Sequence, residues 1–194
     1  MRIPVAEHTR RPWRIHEIAP DFGVEDVWAL PTPGGTGDEF RPLVALLTSS
    51  PPGESPNPLA RLVWAARWRL GEWFGWDDPG TGLGSRVSSL RGRLPHDVPP
   101  APLLPAAGST PFTPLYLLDD EYAGEIANKT MHGVLHLGWV PDGEGGYRGQ
   151  MAVLVKPNGI RGRVYMAGIR PFRYLLIYPA LLRRIEREWE QRPA

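Results

Sequence analysis

The chain has 194 residues, with 22 Lys+Arg against 21 Asp+Glu, a formal net charge of +1, and no cysteine. That balance removes the bulk electrostatic case for a nucleic-acid or anionic-membrane partner, and the missing thiols exclude disulfides, thiolate catalysis and cysteine-based zinc sites. No apolar run approaches the ~18 residues that a bilayer span needs, and Met1 to His8 hold no apolar signal core, so a cytoplasmic location is expected.

The length suits a single domain over residues 1–194. Pro and Gly number 23 and 22, about twice the usual share, and mark stiff loops near 31–37, 50–58 and 95–111. Thr9 to Ile18 reads as a first strand, with Trp13 and Ile15 on one parity and Pro12 at its start. Asp21 reads as the N-cap of a short helix through Leu30, with Val24, Val27 and Trp28 at helical spacing. Leu43 to Leu47 predicts one or two helical turns. Asn57-Pro58 opens a helix to about Phe74, whose stripe is Leu59, Leu62, Val63, Ala66, Leu70 and Trp73, widened by Trp64 and Trp68. Trp73 and Trp76 form a packing corner after it. Arg86 to Leu94 reads as a weak strand.

The second half is strand-rich. Phe112–Leu118, Tyr122–Ala127, Thr130–Val140, Tyr147–Lys156 and Gly162–Arg170 all read as strands, and the short connectors predict an antiparallel meander. Pro171 opens the last helix, to about Gln191, with Leu175, Tyr178, Leu182, Ile185 and Trp189 as its apolar stripe. Pro179 falls inside that stripe and predicts a kink. The order of elements is an α+β architecture, a helix laid on a curved antiparallel sheet.

The strings HTRRPWRIHEIAPDFGVEDVWALPTPGG, RLGEWFGWD, EIANKTMHGVLHLGW, YRGQMAVLVKPNG and IRPFRYLLIYPALLRRIEREW resemble a bacterial family known as domain of unknown function 2867, from about His8 to Trp189. The resemblance implies the helix-grip fold of the START and Bet v 1-like (SRPBCC) superfamily. In that fold a sheet of about six or seven strands wraps a long C-terminal helix, which closes a cavity. The family brings no catalytic roles with it. A small-molecule or lipid-binding module is the expectation, with no metal or tightly bound cofactor. An enzyme of cyclase, dehydratase or hydrolase type stands beside it, with His132 as acid or base and Arg170 holding an acidic substrate. A protein-interaction domain presenting Trp64 and Trp68 is the third reading; the oligomeric state is left open.

The candidate site starts from Asn128 to Trp139. On a strand, Asn128, Thr130, His132, Val134 and His136 share one face. That face lines a wet cavity or is the solvent face of the sheet. His132 and His136 are about 13 Å apart on a strand at ~3.3 Å per residue, too far to share one zinc ion. A single histidine near Glu121 or Glu125 suits acid–base work or a structural hydrogen bond. Arg170-Pro171-Phe172-Arg173 places positive charge at a helix start, against the dipole. It suits a ligand carboxylate or phosphate, or pairs with Asp119, Asp120, Glu121 or Glu125. Tyr147, Gln150, Tyr165 and Tyr178 add polar tips. The expected ligand-binding set is Asn128, Thr130, His132, Tyr165 and Arg170, around an apolar small molecule with an acidic or carbonyl end. No phosphate-cradling glycine loop is expected, because Gly80-Thr81-Gly82-Leu83-Gly84 lacks a strand before it and a helix after it.

Overall fold

Six strands build one sheet in the computed structural model, which describes residues 1–48, 83–84, 87–102 and 111–192. They are β1 (Arg2–Ile3), β2 (Gly23–Ala29), β3 (Thr113–Leu117), β4 (Glu121–Ala127), β5 (Met131–Pro141) and β6 (Tyr147–Pro157). Their order is β1-β2-β6-β5-β4-β3, and every neighbouring pair is antiparallel. β3 to β6 form the expected meander. The β5–β6 turn is held by the Asp142 carboxylate, which accepts from the N–H groups of Gly34, Glu144 and Gly146. Gly143 and Gly145 take φ of 92° and 97° there, where a side chain is strained.

The helical elements are α1 (Ala6–Thr9), α2 (Arg14–Ile18), α3 (Phe40–Thr48), a 3-10 turn at Leu90–Arg93, α4 (Gly159–Phe172), a π-turn at Arg173–Ile177 and α5 (Tyr178–Glu190). They cover both faces of the sheet. On the first face, Trp13, Ile15, Ile18 and Phe22 from the N-terminal segment join Leu90 and Val98 over Ala123, Val134, Ala152 and Leu154. On the second, Phe40, Leu43 and Val44 of α3 join Tyr178, Ile185 and Trp189 of α5 over Trp28, Tyr122, Leu137, Trp139 and Met151. The protein is thus an α+β molecule with an open six-stranded antiparallel sheet and a C-terminal helix on one of its faces. No described helix is long and apolar enough to cross a membrane.

Four element assignments read from the sequence change. Thr9–Ile18 is not a strand but the end of α1, a bend and α2. Its apolar positions fit both periods, and Ile15 and Ile18 are buried at helical spacing. Asp21–Leu30 is not a helix but β2, in which Asp26, Val27, Trp28 and Ala29 are all buried. A strand covered on both faces reads as a continuous buried run rather than an alternation. Within the strand expected over Arg86–Leu94, Leu90–Arg93 form the 3-10 turn, and Arg86 lies outside the described residues. Gly162–Arg170 is helical despite its β-formers. β6 already pairs with β2 on one side and β5 on the other, so the following segment has no ladder to join beside it.

Pro171 lies inside α4, and the expected kink is the π-turn just before Pro179. Pro179 offers no N–H to the Leu175 carbonyl, and the widened turn absorbs that gap. It also shifts the helix phase, so Leu175 is 74% exposed and Leu182 half-buried, while Tyr178, Ile185 and Trp189 keep their places in the core. The expected helix from Pro58 to Phe74, its tryptophans Trp64, Trp68 and Trp73, and Trp76 lie outside the described residues.

Candidate functional site

Two buried polar clusters hold the chemistry, one on each face of the sheet. The first arises from strand register. Glu121 lies opposite Gly138 and Glu125 opposite Val134, so on one face the diagonal neighbours are Glu121 with His136 and Glu125 with His132. His136 Nε2 is 3.0 Å from Glu121 Oε1 and His132 Nε2 is 2.8 Å from Glu125 Oε2. All four side chains are buried.

Each carboxylate also receives the start of a covering element. The N–H groups of Arg14 and Ile15, at the start of α2, donate to Glu121 at 2.9 and 3.0 Å, and the Tyr116 hydroxyl donates at 2.6 Å. The Leu90 N–H and the Ser89 hydroxyl donate to Glu125 at the start of the 3-10 turn. First-turn N–H groups have no partner within their own helix, so two strand glutamates act as caps from afar. The space above Gly138 makes this fit possible: a Cβ there would stand 2.7 Å from the Trp13 ring.

His8 of α1 extends the first pair, its Nε2 3.0 Å from His136 Nδ1. Burial works against the charge on Glu121, but hydrogen bonds from His136, Tyr116 and the Arg14 N–H outweigh it and hold the carboxyl below its ordinary value. Burial lowers the imidazole of His136. Burial, then the neighbouring His136 and His16, lowers His8 to about 2. With an ionised glutamate and two neutral imidazoles, the tautomers follow. His136 donates from Nε2 to Glu121 and accepts at Nδ1 from His8 Nε2–H. His8 Nδ1 is then a lone pair, buried and without a hydrogen-bond partner among the described residues.

The second cluster sits where two irregularities meet. The β2–β6 register shifts between Val24 and Asp26, and the π-turn stacks residues five apart, bringing Arg173 over Tyr178. Arg173 Nη2 is 2.6 Å from Asp26 Oδ2. The Tyr178 hydroxyl accepts from Arg173 Nε at 3.1 Å and donates to Asp26 at 3.0 Å, and Trp28 Nε1 donates to Asp26 at 3.1 Å. Burial pushes the Asp26 carboxyl up, against the pull of Arg173, Tyr178 and Trp28. Burial also opposes the Arg173 charge, but Tyr178 and Asp26 prevail and raise its pKa. The Tyr174 ring lies 6.0 Å from those of both Trp28 and Tyr178, and its buried hydroxyl has no hydrogen-bond partner among the described residues.

The residues expected to bind ligand are dispersed. Asn128 and Thr130 build the β4–β5 turn: Asn128 Oδ1 accepts from the Thr130 N–H, the Thr130 hydroxyl and the Met131 N–H. His132 belongs to the Glu125 pair on the first face. Arg170 is exposed in α4 and bonded to Glu25 at 2.7 and 3.0 Å, so its partner is none of the acids considered from the sequence. Tyr165 falls in α4, and its side chain lies outside the described residues. Gln150 is buried on the first face, and Tyr147 stacks on Trp139 with centroids 6.3 Å apart. Among the described residues, no three His, Asp or Glu side chains group as a metal site requires.

Sequence reasoning missed His8 and Asp26. His8 stood outside every expected element, and Asp26 inside an expected helix. Arg173 was in view as the last residue of Arg170-Pro171-Phe172-Arg173. Over residues 18–180 the chain matches a family model described as "Protein of unknown function (DUF2867)". Comparison with curated proteins and with solved structures returns no match.

Proposed function

The chain belongs to the DUF2867 family, whose description assigns no activity, and on that premise we propose that it is a small-molecule-binding module with its site beside Arg173. The reading takes the C-terminal helix on the sheet as a helix-grip arrangement, with the ligand between the two. One observation carries it: among the described residues the buried Tyr174 hydroxyl has no hydrogen-bond partner, and it is next in the chain to a buried guanidinium. A buried polar group left unpaired costs about 1–3 kcal/mol, and a ligand oxygen removes that cost. Trp28, Tyr174 and Tyr178 offer an apolar aromatic wall. Of the two ligand ends expected from the sequence, a neutral carbonyl fits better than an acid. Arg173 is already matched by Asp26, and Glu25 is held by Arg170, so a second carboxylate meets a like charge.

Native mass spectrometry of freshly purified protein tests this. The wild type is expected to carry a small molecule of defined mass, and Tyr174→Phe, which deletes only the hydroxyl, is expected to lose most of it. A wild type with no adduct, and with no saturable response to the apolar fluorophore anilinonaphthalene sulfonate, overturns the reading. A second reading, an enzyme on the same fold, is favoured by the unpartnered His8 lone pair at the end of the Glu121–His136 chain. A molecule lost from His8→Asn but kept by Tyr174→Phe selects it.

A further inference from the structure

The outward face of α4 is built the wrong way round for a solvated helix. Such a helix turns its polar side to water, yet Ile160, Val164 and Leu175 are 72%, 67% and 74% exposed, and Ala167 and Pro171 between them are exposed too. The five positions follow one another at intervals of 4, 3, 4 and 4, so they form a single stripe over the length of α4 and onto the π-turn. At ~1.5 Å per residue this ridge is about 24 Å long.

The opposite side of the helix fixes that orientation. A Cβ on Gly162 would stand 2.1 Å from the Thr130 carbonyl oxygen, Met166 is buried, and Arg173 is locked to Asp26. The charge that α4 itself carries has one sign. Between Glu144 and Glu186 the sequence holds no acidic residue and eight basic ones, and α4 itself contains Arg161, Arg163 and Arg170. Arg170 is taken by Glu25. Arg163 is exposed, with no carboxylate bonded to it among the described residues. The net charge of +1 hides this asymmetry, because the compensating acids lie elsewhere in the chain.

We propose that this face is a docking surface for an anionic lipid bilayer, with α4 lying in the headgroup plane. An apolar ridge with basic flanks is the form that interfacial helices take. A second copy of the chain fits poorly: two α4 helices packed against each other bring arginines together with no acid in either helix. A ridge also offers no concave pocket to a small molecule.

Flotation of the full chain with vesicles tests the assignment. Binding to vesicles with about a third phosphatidylglycerol in phosphatidylcholine is expected to exceed binding to pure phosphatidylcholine about tenfold, and to fall at high salt. Val164→Glu/Leu175→Glu is expected to lower it about tenfold more with an unchanged melting temperature, since both side chains are exposed. Arg163→Glu should weaken it as well. No vesicle binding by the wild type, or equal binding by the double variant, overturns the proposal. So does a concentration-dependent dimer that the double variant abolishes in the absence of vesicle binding, because the face is then a contact between copies. Failure here leaves the Tyr174 reading untouched, which concerns a different surface and a different measurement.

Discussion

The two faces of the sheet solve the same problem in opposite ways. On the first, the buried Glu121–His136 and Glu125–His132 pairs are met by what covers them, because the two glutamates also take the starts of two helical elements. On the second, aromatic and aliphatic side chains do the covering, and among the described residues the buried charge is the Asp26–Arg173 pair beneath the π-turn. The contrast teaches that a polar strand pattern does not make a solvent face. Buried carboxylates are tolerated where enough donors converge on them, and the donors come from segments remote in sequence. The unpaired groups also differ in kind: among the described residues, His8 on the first face leaves an imidazole nitrogen without a hydrogen-bond partner, and Tyr174 on the second leaves a hydroxyl beside the Asp26–Arg173 pair.

The comparison can be broken most directly at Glu121. Glu121→Ala removes the acceptor from four donors, those of Arg14, Ile15, Tyr116 and His136. A loss of about 3–5 kcal/mol in urea melts is expected, as for a buried network stripped of one member. A loss below about 1 kcal/mol means that the first face stands by apolar packing alone. On the second face, Ile185→Ala is expected to cost about 2–5 kcal/mol, since Ile185 is fully buried against the sheet. Arg173→Met should cost about 2–3 kcal/mol, because Asp26 is left alone. Adding Asp26→Asn should recover part of that loss, and strict additivity in the double-variant cycle excludes coupling between them.

The faces also separate by pH. His8 is held neutral, its value in the folded protein lowered to about 2 against about 6.5 in the unfolded chain. The unfolded chain therefore takes up the proton first. The stability due to neutral His8 is complete above pH 6.5 and is lost as pH falls toward 2, at about 1.4 kcal/mol per pH unit. Between pH 6.5 and 5 this amounts to about 2 kcal/mol, before the lowered carboxyls of Glu121 and Glu125 begin to contribute below about 4.5. His8→Gln should reduce the slope of urea midpoints over that window and leave the part due to the lowered His136, and an unchanged slope removes His8 as a cause. The smallest effect belongs to Leu175→Ala, expected within about 0.5 kcal/mol for an exposed side chain. A larger loss means that the phase shift at the π-turn does not turn Leu175 outward.

The meander was legible because β3 to β6 are long, alternating and separated by short turns. So was the shared face of His132 and His136, which follows from the two-residue period. The partners were within reach as well. Glu121 and Glu125 repeat the four-residue spacing of the histidines on the adjoining strand, and antiparallel pairing turns that match into two diagonals. Three features were not legible. The N-terminal segment fits a strand or a helix locally, and its choice is made by Glu121, more than 100 residues away. β2 lost its alternation by being covered on both sides. The phase of the last helix depends on a π-turn, which no period of 3.6 anticipates, and so the buried arginine is Arg173 rather than Arg170.

The remote capping of α2 has a consequence for biosynthesis. The Ile15 N–H finds its acceptor 106 residues further along the chain, and β2 finds its inner neighbour only in β6. At ribosomal rates of about 5–20 residues per second, the N-terminal segment therefore waits roughly 5–20 s for the strand that completes it. During that interval Trp13, Ile15, Ile18 and Phe22 have no sheet to cover. The nascent chain thus carries an apolar, unfinished segment until the meander emerges.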